Sequence, residues 1–283
     1  MSEIRVEPKF VAIINDCQDG NARARQEVTV GSLFNINPAF VGVETDLEAS
    51  ANLVDLIDAS RGEPGIILVN KAPRNGKAKE HKNGTPFGYF WHGDTLVVSS
   101  TDGLALSLPK KLGITAVVNE LDIETTIEDV LEATGESNEE GLARRITNTQ
   151  FRSLAYTPRA ARALWSGVKL ASEEKVITRN AGHKTHAWHV DNFGNIKTTG
   201  LPTDIGFDPE QGDGYRVSTA LGEVSCYGQL RSVPENGELA VTIGSSGYKD
   251  QNFLELVIQG GSAVKKLSSH TQIHGRNLIH AIA

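Results

Sequence analysis

FVAIIND, residues 10–16, is the stretch that indicates the fold. Five apolar residues stop abruptly at Asn15 and Asp16, which is typical of a buried strand that ends in polar residues. The same pattern returns in three further runs, GIILVN (65–70), DTLVVSS (94–100) and ITAVVN (114–119). Several such strands favour an α/β sheet whose strand ends line a crevice, and open α/β sheets bind ligands there.

Helices fit between these runs. Residues 47–59 have helical apolar spacing and follow Asp46, which is a suitable N-cap. Residues 125–133 form a second helical stretch that ends before Gly135. Residues 158–172 form a third, with Pro158 at its first position. The first part of the chain therefore alternates strands and helices.

The pattern changes after about residue 176. The later runs are short, β-rich and separated by turn residues: KVITRN, HAWHV, GYRVST, GEVSCYG, LAVTIG and FLELVIQ. Such spacing is typical of a β-sandwich or barrel. The sequence predicts an α/β domain over residues 1–176 and a small all-β domain, a barrel or sandwich, over residues 177–283.

Composition excludes several classes of protein. The 283 residues carry a formal charge of −7, which is opposite to the basic surface that binds nucleic acid. No apolar run approaches the ~20 residues that span a bilayer, and the N-terminus lacks the apolar segment of a secretory signal. The two cysteines, Cys17 and Cys226, match no metal or redox spacing. We expect a cytoplasmic protein that binds neither membrane nor nucleic acid.

One turn of the second domain is rich in polar side chains. VDNFGNIKTT, residues 190–199, joins two predicted strands and contains Asp191, Gly194 and Asn195. These residue types close tight turns, so a hairpin is one interpretation. The other is that a carboxylate and an amide face a polar ligand. Gly260-Gly261-Ser262 leaves the same alternatives open, since glycine ends strands and also lets ligands approach the backbone.

Five segments in order resemble the S-adenosyl-L-methionine (SAM) hydroxide adenosyltransferases and the related SAM-dependent chlorinases and fluorinases. The matching segments are Ile13–Cys17, Gly31–Pro38, Asp191–Asn195, Tyr227–Leu239, and the last one Ser245–Gly247 with Leu254–Ala263. The resemblance implies an α/β domain followed by a β domain, a homotrimer, and SAM bound between the first domain of one copy and the second domain of another.

The resemblance also implies roles for single residues. Asp16 would accept hydrogen bonds from the ribose hydroxyls, because a carboxylate is purely an acceptor. Asp191 would face the methionyl amine and Asn195 the adenine edge. Ser245 would lie near the methionyl carboxylate, and Gln259 beside the adenine. It implies SAM as substrate or ligand, with no prosthetic group and no metal.

The catalytic positions differ from the family pattern. The family reaction is displacement at ribose C5′, and its water-using members hold the water with an Asp, an Arg and a His. In this chain Asn70 stands at the Asp position and Lys77 at the Arg position. Phe151 stands at the His position, or Arg152 if the alignment shifts by one residue. Asn cannot act as a base, and Lys lacks the planar fork of Arg.

Three interpretations follow, and the first is our working hypothesis. In the first, the protein transfers the adenosyl group to water or an anion at a modified site. In the second, it binds an adenosine compound without turnover, as a sensor or carrier. In the third, the fold is kept but the pocket no longer binds the ligand. The loop cations Lys71, Arg74, Lys77 and Lys79 would attract an anion, although a solvated loop is the simpler interpretation of those charges. The histidines His183, His186 and His189 recur every three residues, and on a strand such neighbours point to opposite faces rather than converging on a metal.

Overall fold

The computed structural model describes residues 6–71, 84–137, 140–219, 222–268 and 277–281. Its contacts divide the chain into two units, Met1–Asn180 and Ala181–Ala283. Each unit contains a seven-stranded mixed sheet together with helices, so the chain has an α/β two-domain fold.

The first sheet is mostly parallel at one end and antiparallel at the other. Its strands are β1 (Phe10–Asn15), β2 (Ala39–Gly42), β3 (Gly65–Asn70), β4 (Phe87–His92), β5 (Thr95–Ser100), β6 (Val117–Leu121) and β7 (Ser172–Val176). They lie in the order β2-β1-β3-β5-β4-β6-β7. The first four strands of that order pair in parallel, and β4, β6 and β7 pair antiparallel to their neighbours.

The longer helices of the first unit begin at side-chain caps. The helices of this unit are α1 (Gly20–Phe34), α2 (Asp46–Ser60), α3 (Ser107–Lys111), α4 (Ile123–Thr134), α5 (Leu142–Asn148), α6 (Arg152–Ala155) and α7 (Thr157–Trp165). Asp19 and Asp122 accept hydrogen bonds from backbone N–H groups in the first turns of α1 and α4. Both caps satisfy donors that a helix start leaves without internal partners.

Apolar side chains cover both faces of the first sheet, which explains the uninterrupted apolar runs of β1, β3 and β5. Alternate residues such as Val11, Ile13 and Leu68 join a core that includes residues of α1, α4, α5 and α7. Helix α2 packs against β1, β3 and α3. The predicted strands at 10–14, 65–69 and 94–98 are confirmed.

Several predicted boundaries are wrong. The N-cap of α2 is Thr45, whose side chain accepts from the N–H of Glu48, and Asp46 is the first helical residue. The strand predicted at 114–118 instead spans Val117–Leu121. The helix predicted over 158–172 ends at Trp165, and Gly167 follows with φ 87°. A left-handed glycine is a common helix stop. Ser172–Val176 then pairs with β6, so part of KVITRN belongs to the first sheet.

The second sheet has the order β14-β10-β11-β12-β13-β9-β8. Its strands are β8 (Ala187–Val190), β9 (Ile196–Thr198), β10 (Tyr215–Thr219), β11 (Gly222–Tyr227), β12 (Ala240–Tyr248), β13 (Gln251–Val257) and β14 (Ile279–Ala281), and a short helix α8 spans Ala263–Ser268. The strands predicted in HAWHV, GYRVST, GEVSCYG, LAVTIG and FLELVIQ are confirmed.

The two edges of the second sheet are joined by hydrogen bonds. Thr185 Oγ1 donates to Ile279 O at 2.7 Å, and the N–H of Leu278 donates to Thr185 O at 3.0 Å. His186 and Asn277 form an isolated bridge nearby. The segment before β8 therefore contacts β14 at the opposite end of the strand order.

Candidate functional site

The direction in which the chain adds strands to the first sheet reverses between β1 and β3. The chain runs from β1 to its neighbour β2 and then returns across β1 to β3. In open α/β sheets, ligands bind beyond the carboxyl ends of the strands at such a switch point. Asn15 and Asn70, the last residues of β1 and β3, lie in register there. This edge is the first candidate site.

A chain of polar side chains connects the two strand ends. The buried side chain of Gln26 on α1 accepts a hydrogen bond from Asn15 Nδ2 and donates through Nε2 to Cys17 O at 3.0 Å. Asn70 Nδ2 donates to Asn15 Oδ1 at 2.9 Å and to Asp16 Oδ1 at 3.1 Å. A buried polar network that is satisfied in this way holds its members in defined positions. The network orients the Asp16 carboxylate.

Asp16 and Lys71 form a buried ion pair. Lys71 Nζ lies 3.4 Å from Asp16 Oδ2, and the two side chains are 4% and 8% exposed, Asp16 being the less exposed. Lys71 Nζ also lies 3.9 Å from Asp46 Oδ1. The Lys71 backbone is tied to β5, because its N–H donates to Ser100 Oγ at 3.1 Å. The sequence indicated this lysine only as a loop cation, and its pairing with Asp16 went unpredicted.

Two interpretations from the sequence need correction here. The charge of Lys71 does not belong to a solvated loop, because its ammonium is buried between two carboxylates. Those carboxylates leave the group of three charges negative, so Lys71 does not make this edge attractive to an anion. The other cations of that loop, Arg74, Lys77 and Lys79, lie outside the described residues, and so does the predicted catalytic position Lys77.

The structure also places the other positions that the resemblance predicts to be catalytic. Asn70 is buried and donates to its two neighbours, as described above. Phe151 is 70% exposed. Arg152 donates to the carbonyl oxygens of Gly84 and Thr85 at 3.4 and 3.3 Å, and burial lowers its pKa. Neither residue at the family's His position supplies a base.

In the second unit, the turn between β8 and β9 is closed by its own side chains. Asp191 Oδ1 accepts from the N–H groups of Phe193 and Asn195, both at 2.9 Å, and Asp191 Oδ2 accepts from Asn195 Nδ2 at 3.0 Å. These hydrogen bonds within the turn are those that the hairpin interpretation predicts. The turn presents Phe193, which is 71% exposed.

The structure brings the turn and the Gly-Gly-Ser segment together. The N–H of Val264 donates to Gly194 O at 3.0 Å. Gly194 has φ 87°, and a Cβ on it would lie 2.1 Å from Ser262 Oγ. Glycine is therefore required by both conformation and space. The other predicted positions differ in exposure: Ser245 is exposed, and Gln259 is partly buried.

A charged cluster occupies the face of the second sheet that lies opposite its main core. Lys197 on β9 is paired in register with Glu255 on β13, and its Nζ lies 3.4 Å from Glu255 Oε1. The same nitrogen donates to Ser246 Oγ at 2.6 Å and lies 5.8 Å from the centre of the Trp188 ring. We call Trp188, Lys197, Ser246 and Glu255 the Lys197 cluster.

Metal sites and membrane-spanning helices are absent from the described part of the chain. Within the described ranges, no group of three or more His, Cys, Asp or Glu side chains is arranged to hold a metal ion. His183 Nδ1 lies 2.8 Å from Asp204 Oδ1. None of the described helices has the length and apolar character required to cross a membrane.

Comparison with known proteins defines the fold alone. No protein-family model matches the sequence, and no curated protein matches it. An uncharacterized conserved protein from Thermotoga maritima has a similar crystal structure, with TM-score 0.61, 18% identity, and coverage of 96% of this chain and 99% of that one. A conserved hypothetical protein from Thermus thermophilus has TM-score 0.55, 17% identity, and coverage of 97% and 98%. Both likenesses span the two units.

Proposed function

We propose that the protein binds SAM, or a closely related adenosine compound, and transfers the adenosyl group from it to water or an anion. The observation that carries the proposal is the position of Asp16. Its carboxylate is oriented at the switch point of the first sheet, where α/β folds bind ligands. A carboxylate has about four lone-pair sites, so it can hold protein donors and ribose hydroxyls together.

The second unit supports the same proposal. The turn at Asp191–Asn195 and the segment at Gly260–Ser262 are distant in sequence, yet Gly194 contacts Ser262 and Val264. Both segments carry the resemblance to the SAM-dependent family. Under the proposal they bind the adenine and methionyl parts of the ligand, with Asn195, Ser245 and Gln259 in the roles given above.

The proposed reaction needs positioning more than activation. The oxygen of water attacks C5′ of the ribose, the C5′–S bond breaks, and its electron pair returns to sulfur, which leaves as neutral methionine. One proton is released and adenosine is the other product. Since the leaving group is already good, the protein's task is to align the nucleophile and to exclude bulk water. Asn70 and Lys77 occupy the positions where the family holds that water.

One observation favours a second candidate, a sensor or carrier that binds the ligand without turnover. Asn70 directs its amide, and Lys71 its ammonium, towards Asp16. An amide cannot remove a proton from water, and an ion-paired ammonium is a poor base. Binding at this edge would then persist while the reaction does not.

The finer architecture is part of the proposal. The hydrogen bonds between Thr185 and Ile279 support a second unit that closes on itself as a small β-barrel. We also propose the homotrimer that the resemblance implies, with SAM bound between copies, and the cytoplasmic location expected from the sequence.

Incubation with SAM tests these alternatives directly. Chromatography should detect adenosine and methionine in equal amounts, and Asp16→Asn should reduce their formation strongly. Asp129→Asn, a substitution on the exposed face of α4, is the matched control. Calorimetric binding of SAM without product would favour the sensor or carrier. If the protein binds neither SAM nor adenosine, the proposal is refuted, and the interpretation that remains is a fold whose pocket no longer binds the ligand.

A further inference from the structure

A groove of about 620 Å³ opens on the surface of the second unit. It lies between residues 201–209, which follow β9, and the hairpin formed by β12 and β13. Its apolar lining consists of Leu201, Pro202, Phe207, Pro209 and Ile243. Pockets of this size that are lined mainly by apolar side chains are typical binding sites for small organic molecules.

The floor of the groove is part of the core of the second unit. Phe207 belongs to that core and is 3% exposed, and the half-buried Ile243 packs against it. Pro202 and Pro209 each begin a short 3-10 helix beside the floor. Proline restricts the backbone, so these two residues hold the sides of the groove in place. The groove therefore offers a preformed apolar surface, on which burial of an apolar chain is favourable.

The groove is separate from the positions that the resemblance assigns to SAM. Its lining residues do not include Asp191, Asn195, Ser245 or Gln259. Gln251, which does line it, is the first residue of β13, whereas Gly260–Ser262 follows the end of that strand. At about 3.3 Å per residue, the two ends of β13 lie about 20 Å apart. A ligand in the groove is thus a second ligand, and its binding does not depend on the proposed function.

Both charged side chains that line the groove are acidic. They are Asp208 and Asp250. The Asp208 carboxylate accepts only from neutral donors, the N–H of Glu210 at 3.0 Å and Gln211 Nε2 at 2.8 Å. Asp250 forms no ion pair with a described lysine, arginine or histidine. Carboxylates that lack a cation of the protein attract cationic ligands and repel anions.

We infer that this groove binds an organic cation, an ammonium group carried on an apolar chain. The ammonium group lies between the carboxylates of Asp208 and Asp250, where charge-assisted hydrogen bonds form. The half-buried amide of Asn252, another lining residue, offers a further acceptor oxygen. The apolar chain covers Phe207 and Ile243. An anion of the same shape meets the same floor with the wrong charge.

The competing explanation gives both aspartates purely local roles. Asp208 caps a 3-10 helix, and Asp250 follows Lys249 in the turn between β12 and β13, where Lys249 has φ 56°. Aspartate is common at both kinds of position. The ammonium of Lys249 lies 5.0 Å from the centre of the Tyr248 ring. Aspartates with local roles alone would not make the groove distinguish a cationic ligand from an anionic one.

Three ligands with the same eight-carbon chain separate these explanations. Octylamine is cationic at neutral pH, octanoate is anionic and octan-1-ol is neutral. Calorimetry measures their affinities for the wild type, Asp208→Asn and Asp250→Asn. Glu235→Gln is the matched control, because it removes one negative charge from an exposed position of the same unit outside the groove. Asp250→Asn stays informative if Asp208→Asn weakens its helix cap, which thermal melting would reveal.

We expect octylamine to bind at least about tenfold more tightly than octanoate. Asp250→Asn should weaken octylamine binding by about three- to tenfold, the range between an exposed ion pair and a charge-assisted hydrogen bond. The same variant should leave the affinity for octan-1-ol unchanged. Shortening the ligand to butylamine should weaken binding by about 10- to 100-fold, because each buried methylene contributes to affinity.

Four results would overturn the inference. They are no binding of octylamine in the millimolar range, equal affinities for octylamine and octanoate, equal affinities for octylamine and butylamine, and an effect of Asp250→Asn no larger than that of Glu235→Gln. Each of them would leave the proposed function standing, since that proposal is tested with SAM. Failure of the SAM experiment would equally leave this inference in place.

Discussion

Replacing Asp16 with asparagine should destabilise the first unit well beyond the effect of a surface substitution. The change keeps the shape of the side chain and removes its charge. Asp16 accepts from Asn70 Nδ2 at 3.1 Å and lies 3.4 Å from Lys71 Nζ, with both charged side chains buried. Removing one member of a buried pair leaves the other charge uncompensated.

The magnitude follows from these contacts. Breaking a buried pair typically costs about 3–5 kcal/mol. Asp46, with Oδ1 3.9 Å from Lys71 Nζ, remains to compensate part of the charge. We therefore expect a loss of about 2–4 kcal/mol in the free energy of unfolding. For a unit of this size, the melting temperature should fall by about 5–15 °C, at about 2–4 °C per kcal/mol.

Calorimetric melting and urea unfolding followed by circular dichroism measure this loss. Asp16→Asn, Lys71→Met and the double variant form a double-mutant cycle, and the double variant should regain part of the loss because neither member of the pair is left charged without the other. Asp129→Asn should stay within about 0.5 kcal/mol of the wild type. A loss below about 0.5 kcal/mol for Asp16→Asn would refute the buried pair.

Three further predictions concern other contacts. Asp191→Ala should weaken binding of SAM by about 1–3 kcal/mol, measured by calorimetry, because a partly buried polar partner is lost; unchanged affinity would remove Asp191 from the site. Arg159, bonded to Glu136, holds the pKa of that carboxyl below its usual 4.5. The resulting stability is present above pH 4.5 and is lost as the pH falls and the carboxyl is protonated. In urea unfolding, Glu136→Gln should therefore be less stable than the wild type at pH 7 and equally stable at a pH low enough to protonate Glu136. A difference that stays constant with pH would contradict this. Burial raises the pKa of Tyr156 to about 12, so the free energy of unfolding of the wild type should decline as the pH rises from 10 towards 12. Tyr156→Phe should remove this pH dependence, although it also loses the 2.6 Å hydrogen bond to Thr126.

Strands were easier to predict than helices in this chain. Residues of β1, β3 and β5 are buried on both faces, so they form uninterrupted apolar runs that sequence alone reveals. Helix α1 went unpredicted because it buries few side chains, among them Gln26, and has little apolar periodicity. The exposed strand β7 was missed for a similar reason, since SEEKV has no buried face to mark it.

The candidate site was predictable only in part. Polar residues at the ends of β1 and β3 predict a crevice, and Asp16 and Asn70 lie at that edge. The sequence could not show that Asn70 donates to Asp16 rather than facing solvent. Nor could it show that Lys197 meets Ser246, because a shift in the register of β12 and β13 places that serine.

The sequence by itself determined the alternation of strands and helices, the change to short strands near residue 176, and the polar ends of the strands. These are local properties, because a buried strand can be recognised from its own run of consecutive apolar residues. Only the tertiary structure decided which polar groups meet. Asp16 and Lys71 are 55 residues apart, and Lys197 and Ser246 are 49 apart. These polar groups interact strongly because folding removes them from water together, and that burial depends on strand order and register rather than on either residue's neighbours in the chain.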